Sequence, residues 1–249
     1  MKIENAVALV TGSNRGLGLA LVNALLSEGA KKVYATGRDV DALKAARFID
    51  EARVARLTLD VMSEESAVAA AKSAGDVNLL INNAGVLHAG SLLSAPFGDV
   101  ERDLVANVLG TLKVTRAFLP VLEGRRGDSR NVIVNVLSMA ALAGVPFLGG
   151  YVASKAAAHS VTQSLRAELK ARGIDVLGAY AGGIDTDMVR AFPFPKTAPS
   201  EVAGNIVRGI RASEPYITTD EDSRSVVQLF LSDPRALERR FAEGPGGAA

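Results

Sequence analysis

The feature that most limits how this chain can fold is a series of six short segments rich in Val, Ile, Leu and Ala, each ending at small or polar residues. They cover residues 6–10, 32–36, 54–59, 77–81, 132–136 and 174–179, and helix-length amphipathic stretches lie between most of them. Short apolar runs of this kind are expected of strands buried on both faces. Strands alternating with helices imply a parallel sheet covered on both sides, and right-handed crossovers bring every strand's carboxyl end to one rim. Gly12, Arg38, Asp60, Asn83, Ser138 and Gly182 all fall at or just past such ends. With residues 216–218 as a short edge strand, the expectation is one α/β domain over residues 1–243, a doubly wound parallel sheet of about seven strands. The Gly/Pro/Ala tail at 244–249 is expected to be disordered.

The first strand runs directly into Thr11 to Gly18, TGSNRGLG, and then into an amphipathic helix over residues 19–27. Strand, glycine turn and helix is the context in which a backbone approaches a pyrophosphate and a helix N-terminus stabilises its charge. The glycine spacing is not the usual G-x-G-x-x-G, and a tight strand–helix turn alone would also use these glycines. The second strand ends in Gly37-Arg38-Asp39. An acidic residue at the end of that strand would bind an adenosine ribose 2′-hydroxyl and repel a 2′-phosphate. Arg38, with Arg15 in the glycine loop, suits a phosphate instead, which argues for NADP over NAD; two solvated surface arginines are the plainer reading.

Residues 135–163 carry the chemistry. A strand ends on Ser138, an apolar Gly/Pro-marked loop follows, and a helix beginning near Gly150 places Tyr151 and Lys155 on one face, one turn apart. A phenol ordinarily titrates near 10, and an adjacent ammonium favours the phenolate, so Lys155 is expected to lower the Tyr151 pKa. With the Ser138 hydroxyl sharing a substrate oxygen, the set could protonate an alkoxide or deprotonate an alcohol. Tyr-x3-Lys alone is common on helices. Further along, Ser63 is expected to cap a helix bearing Glu64 and Glu65 in its first turn. Asn107 sits in a long amphipathic segment, 97–122, where a weak helix former suggests a local polar task. Residues 187–200, with Phe192 and Phe194, read as an apolar loop able to wall a substrate.

Composition removes several alternatives. Lys and Arg (28) nearly balance Asp and Glu (27) and are scattered, so the footprint of a nucleic-acid binder is missing. No cysteine and only two histidines, His88 and His159, argue against a thiolate nucleophile and a metal centre. No signal-peptide pattern and no uncharged stretch long enough to span a bilayer point to a cytoplasmic protein without membrane or nucleic-acid partners.

Residues 11–18, 82–85, 107, 138, 151 and 155, six separated motifs in order, resemble the short-chain dehydrogenase/reductase family, whose likeness spans residues 7–188. The resemblance implies a single-domain Rossmann fold and the following roles. Gly12, Asn14, Arg15, Gly16, Leu17 and Gly18 would hold the cofactor pyrophosphate, with Arg38 nearby. Asp60 and Val61 would meet the adenine, and Asn83, Ala84 and Gly85 would line the cofactor. Tyr151 would be the general acid/base, Ser138 would hold the substrate oxygen, and Lys155 would bind the nicotinamide ribose. Asn107 would hold a water in the proton relay. Gly182, Ile184 and Thr186 would contact the nicotinamide end. Ala181-Gly182 departs from the family's common Pro-Gly, and Leu137-Ser138 from Ser-Ser.

These residues predict an NADP(H)-dependent carbonyl reductase or alcohol dehydrogenase acting on hydrophobic ketones, aldehydes or secondary alcohols. Met139, Leu142, Val145, Phe147, His88, Val189 and Phe192 are expected to form the substrate walls. A non-catalytic NADP(H)-binding sensor is the alternative, and a related isomerase or dehydratase a third. A homodimer through the helices around 97–122 and 150–172 is expected.

Overall fold

Alternate residues of each central strand face opposite helical layers, as a two-residue period requires. Along β1 (Val7–Val10), Ala8 and Val10 enter one core, while Val7 and Leu9 enter the other. The computed structural model describes residues 1–4, 6–124 and 130–243; the tail expected at 244–249 lies outside the described residues. The remaining strands are β2 (Lys32–Gly37), β3 (Val54–Thr58), β4 (Leu79–Asn82), β5 (Asn131–Ser138), β6 (Ile174–Ala181) and β7 (Tyr216–Thr218). All seven pair in parallel in the order β3-β2-β1-β4-β5-β6-β7, a single Rossmann-like α/β sheet as expected.

On one face lie α1 (Gly16–Ser27) and α7 (Pro199–Ala212), burying Leu21, Leu25, Ile206 and Ile210 against Val10, Ile81 and Val134. On the other lie α3 (Glu64–Ser73), α5 (Thr111–Gly124) and α6 (Gly149–Lys170), with Phe118, Leu122 and Leu169 against Leu9, Leu80 and Ile133. The short α2 (Val40–Ala45) follows β2, and Asp39 caps it by accepting the Asp41 and Ala42 N–H groups. Ser63 caps α3 as expected, accepting the Ser66 N–H at 3.1 Å. Past β7, α8 (Glu221–Ser232) and α9 (Pro234–Ala242) bury Val226 and Leu237 against Tyr180 and Leu142.

Two boundaries differ from the sequence reading in ways that matter. The helix after β1 begins at Gly16 rather than residue 19, so its first turn lies inside the glycine loop. The segment expected as one helix over 97–122 is α4 (Phe97–Leu104), a π-helical turn at Val105–Gly110, and α5. By length and composition, Phe97–Gly124 alone among the described helices could cross a membrane, yet Val114, Phe118 and Leu122 are fully buried against the sheet.

Candidate active site

Strand order reverses direction between β1 and β4, which is where open α/β sheets form a crevice at their carboxyl ends. A cleft of about 310 Å³ opens there. It collects the expected residues of the glycine loop, Arg38, Asp60 and Val61, residues 83–85, Ser138, Tyr151, Lys155, Gly182, Ile184 and Thr186. Asn107 does not line it.

The glycine loop is folded as close approach demands. Gly12 has φ +65°, and a Cβ there would stand 3.1 Å from Ala84. A Cβ on Gly18 would meet the Gly12 carbonyl at 2.1 Å, so only glycine lets α1 pack onto the turn. No side chain caps the first turn of α1, which leaves its N–H groups for an anion. Thr11 and Asn83 brace this loop against the end of β4. Thr11 Oγ1 accepts the Asn83 and Ala84 N–H groups at 2.9 Å each, and Asn83 Nδ2 donates to the Thr11 carbonyl at 2.8 Å.

Ser138 ends β5, while Tyr151 and Lys155 share a face of α6, as the spacing predicts. Lys155 is buried; its Nζ donates to the Val136 carbonyl at 3.0 Å and lies 5.8 Å from the centre of the Tyr151 ring. The electrostatics correct the sequence reading. Burial pushes the Tyr151 phenol up to about 12, opposed by the Ser138 hydroxyl and reinforced by the Asp103 carboxylate. Burial also lowers the Lys155 ammonium to about 8, against the pull of Asp103. Desolvation disfavours the charged form of both groups, so the expected lowering of the phenol pKa by the lysine is not observed.

Asn107 is buried within the π-helical turn, behind Gly85. Its Oδ1 accepts the Val86 N–H at 2.9 Å, and its Nδ2 donates to the Val86 carbonyl at 2.9 Å and to Ser154 Oγ at 2.8 Å. Ser154 Oγ in turn donates to the Tyr151 carbonyl at 2.6 Å. The amide thus clamps the loop after β4 to the first turns of α6. A wider helical turn aims it sideways, the kind of distortion often found beside functional sites.

Of the two arginines at the adenosine end, Arg15 pairs with Asp187 at 2.6 Å, bridging the glycine loop to the segment after β6. Arg38 is exposed and has no ion-pair partner among the described residues. Of the residues expected to wall a substrate, only some reach the cleft. Val189 lines the cleft, joined by Val86 and Met188. Leu142 is buried in the core under α8 and α9, His88 is bonded to Asp103, and Phe147 projects outward at 74% exposure. Asp103 and Asp187 escaped the sequence reading because His88 and Arg15, which tie them to other loops, are distant in the chain.

Residues 6–194 match the short chain dehydrogenase family. The chain belongs to that family. Like other short-chain dehydrogenases it is an oxidoreductase, and its relatives cover most of its length. A Mycobacterium bovis 3-alpha-(or 20-beta)-hydroxysteroid dehydrogenase is 32% identical over 93% of this chain and 89% of its own. Rat estradiol 17-beta-dehydrogenase 1 is 33% identical over 94% of this chain and 72% of its own. Among solved structures, a short chain dehydrogenase from Burkholderia cenocepacia in complex with NADP superposes with a TM-score of 0.88 at 35% identity, covering 97% of this chain and 99% of that one. A Burkholderia phymatum member in complex with NAD gives a TM-score of 0.79 at 25% identity, over 96% and 97% of the two chains.

Proposed function

We propose that this short-chain dehydrogenase is an NADP(H)-dependent carbonyl reductase or alcohol dehydrogenase for apolar ketones, aldehydes and secondary alcohols. The observation that carries the reading is that Ser138, Tyr151 and Lys155 line the same cleft as the glycine loop. The residues fit the cofactor. The uncapped first turn of α1 and the space kept by Gly12 and Gly18 suit a pyrophosphate, and Arg38, which lines the cleft and has no ion-pair partner among the described residues, suits a 2′-phosphate. The NADP-bound relative supports this choice of nucleotide. The nicotinamide, when bound, supplies or takes up the hydride.

Ser138 would hold the substrate oxygen beside Tyr151. A phenol whose pKa stands near 12 is protonated at neutral pH, the form that gives a proton to a nascent alkoxide. Lys155 would stabilise the phenolate left behind. Asn107 would hold Tyr151 in place through Ser154 and, as the resemblance implies, would hold a water of the same relay. Val86, Met188 and Val189 give the substrate end an apolar wall, in keeping with the hydroxysteroid relatives. Residues 187–200 would serve as the substrate loop, and the exposed sides of α4 and α6 would pair two copies into a homodimer.

Tyr151→Phe should abolish NADPH-dependent reduction of an apolar ketone panel, steroid ketones included, while leaving NADPH affinity within about twofold. Full turnover in that variant would refute the assignment. Tight NADPH binding by the unmodified protein with no turnover on any substrate would favour a sensor.

A further inference from the structure

Asp103 is a fully buried carboxylate that the proposed proton transfer does not use. Aspartate is seldom buried unless paired, and an apolar side chain of similar volume would fill the site without desolvating a charge. Its partner is His88, in the loop after β4: Nδ1 lies 2.8 Å from Oδ1, and the His88 N–H reaches Oδ2 at 3.4 Å. From α4 the carboxylate leans on the first turn of α6, with Oδ2 3.5 Å from the position a Cβ would take on Gly150, the residue before Tyr151. That turn has no side-chain cap and no acidic residue of its own, so Asp103 supplies the anion that a helix N-terminus favours.

We propose that the His88–Asp103 pair is a positioning device for Tyr151, with His88 tethering the carboxylate and Asp103 setting the charge that the phenol and the Lys155 ammonium meet. The inference rests on the reading of Tyr151 as the proton-transfer residue. Asp103 is bonded to His88 from the loop and packs at Gly150 on α6, from where its charge acts on Tyr151 and Lys155; on α4 itself Arg102 is turned outward, paired with Asp99. Asp103 is the one charged side chain among the causes that shift Tyr151 and Lys155, and it raises both. A buried negative charge disfavours the phenolate and favours the ammonium. It therefore holds the phenol in its donating form and keeps the lysine charged beside it.

The test uses the full chain carrying Asp103→Asn and, because an unpaired buried amide could impair folding, Asp103→Leu as a second variant. Removing the charge should lower the Lys155 midpoint, followed by NMR of its Cε carbon, by at least half a pH unit from its value of about 8. The alkaline limb of kcat for NADPH-dependent ketone reduction should move to lower pH by a similar interval, about a threefold loss at fixed pH on that limb, with the ketone KM little changed. His88→Gln keeps an N–H donor and should retain the wild-type midpoint. Unmoved midpoints in both Asp103 variants, with kcat simply reduced, would overturn the proposal. So would a His88→Gln midpoint displaced as far as that of Asp103→Asn. An unmodified protein with no turnover would overturn the proposed function instead, and the Lys155 titration, which needs no reaction, would still decide the role of Asp103.

Discussion

Lys155 and Tyr151 lie within one helical turn, and burial shifts their proton affinities in opposite directions. For Lys155 the folded value, about 8, lies below the ordinary lysine value of 10.5. Between those values the unfolded chain binds the extra proton, so this group's contribution to stability rises with pH across that window. Denaturant unfolding of the wild type and Lys155→Met at pH 7.5, 8.5 and 9.5 should show a stability difference that moves steadily in favour of the wild type. A constant difference would contradict the buried ammonium. Tyr151 works the other way: its folded value is raised, so its contribution is intact below pH 10 and is lost as pH climbs towards about 12. At the adenosine end, Arg38→Asp should turn cofactor preference from NADPH towards NADH by tenfold or more, roughly the 1.4 kcal/mol scale of a charge-assisted phosphate contact. Unchanged selectivity would leave Arg15, now held by Asp187, as the phosphate ligand.

Among the elements, the loop between β5 and α6 carries a bulky residue in the left-handed region: Phe147 at φ +62°. Its carbonyl accepts the Gly90 N–H at 2.7 Å, and an isolated bridge joins Gly90 to Leu148, so two loops hold the strained backbone. Left-handed backbone costs a non-glycine residue about 1–2 kcal/mol, and glycine returns part of that gain through greater unfolded-chain freedom. With its ring mostly in solvent, Phe147→Gly should stabilise the fold by about 0.5–1 kcal/mol in urea unfolding. A loss of stability would show that the ring packs more than its exposure implies. Periodicity made the existence of nearly every strand and helix legible, because each follows from local spacing. It did not disclose the π-helical turn, whose extra residue preserves the apolar pattern on either side. Nor could it show α1 beginning at Gly16, since glycines in a turn and in a first helical turn read alike.

At the scale of the whole molecule, small residues Ala153, Ala156, Ser160 and Ser164 lie exposed along α6, and Leu104 and Leu109 are exposed on and just after the neighbouring α4. Small side chains let helices approach closely, and exposed leucines favour burial against a partner. Light scattering after size exclusion should give twice the 25.9 kDa chain mass, and Ala156→Glu should give monomer; a monomeric wild type would dismiss this face as an interface. The cleft itself was legible because a parallel sheet gathers its strand ends on one rim, whatever the loops do. What joins the far sides of that rim was not: His88 to Asp103 and Arg15 to Asp187 are pairings made only by folding, and no spacing announces them. The surplus residue at Val105–Gly110 therefore has a consequence for how this chain can vary in length. Excising one residue there would restore a regular helix, yet swing everything before it by about 100° about the axis. Asp103 would leave its histidine and α4 its seat on α6, so gaps tolerated in the surrounding loops should be lethal to the protein at this one turn.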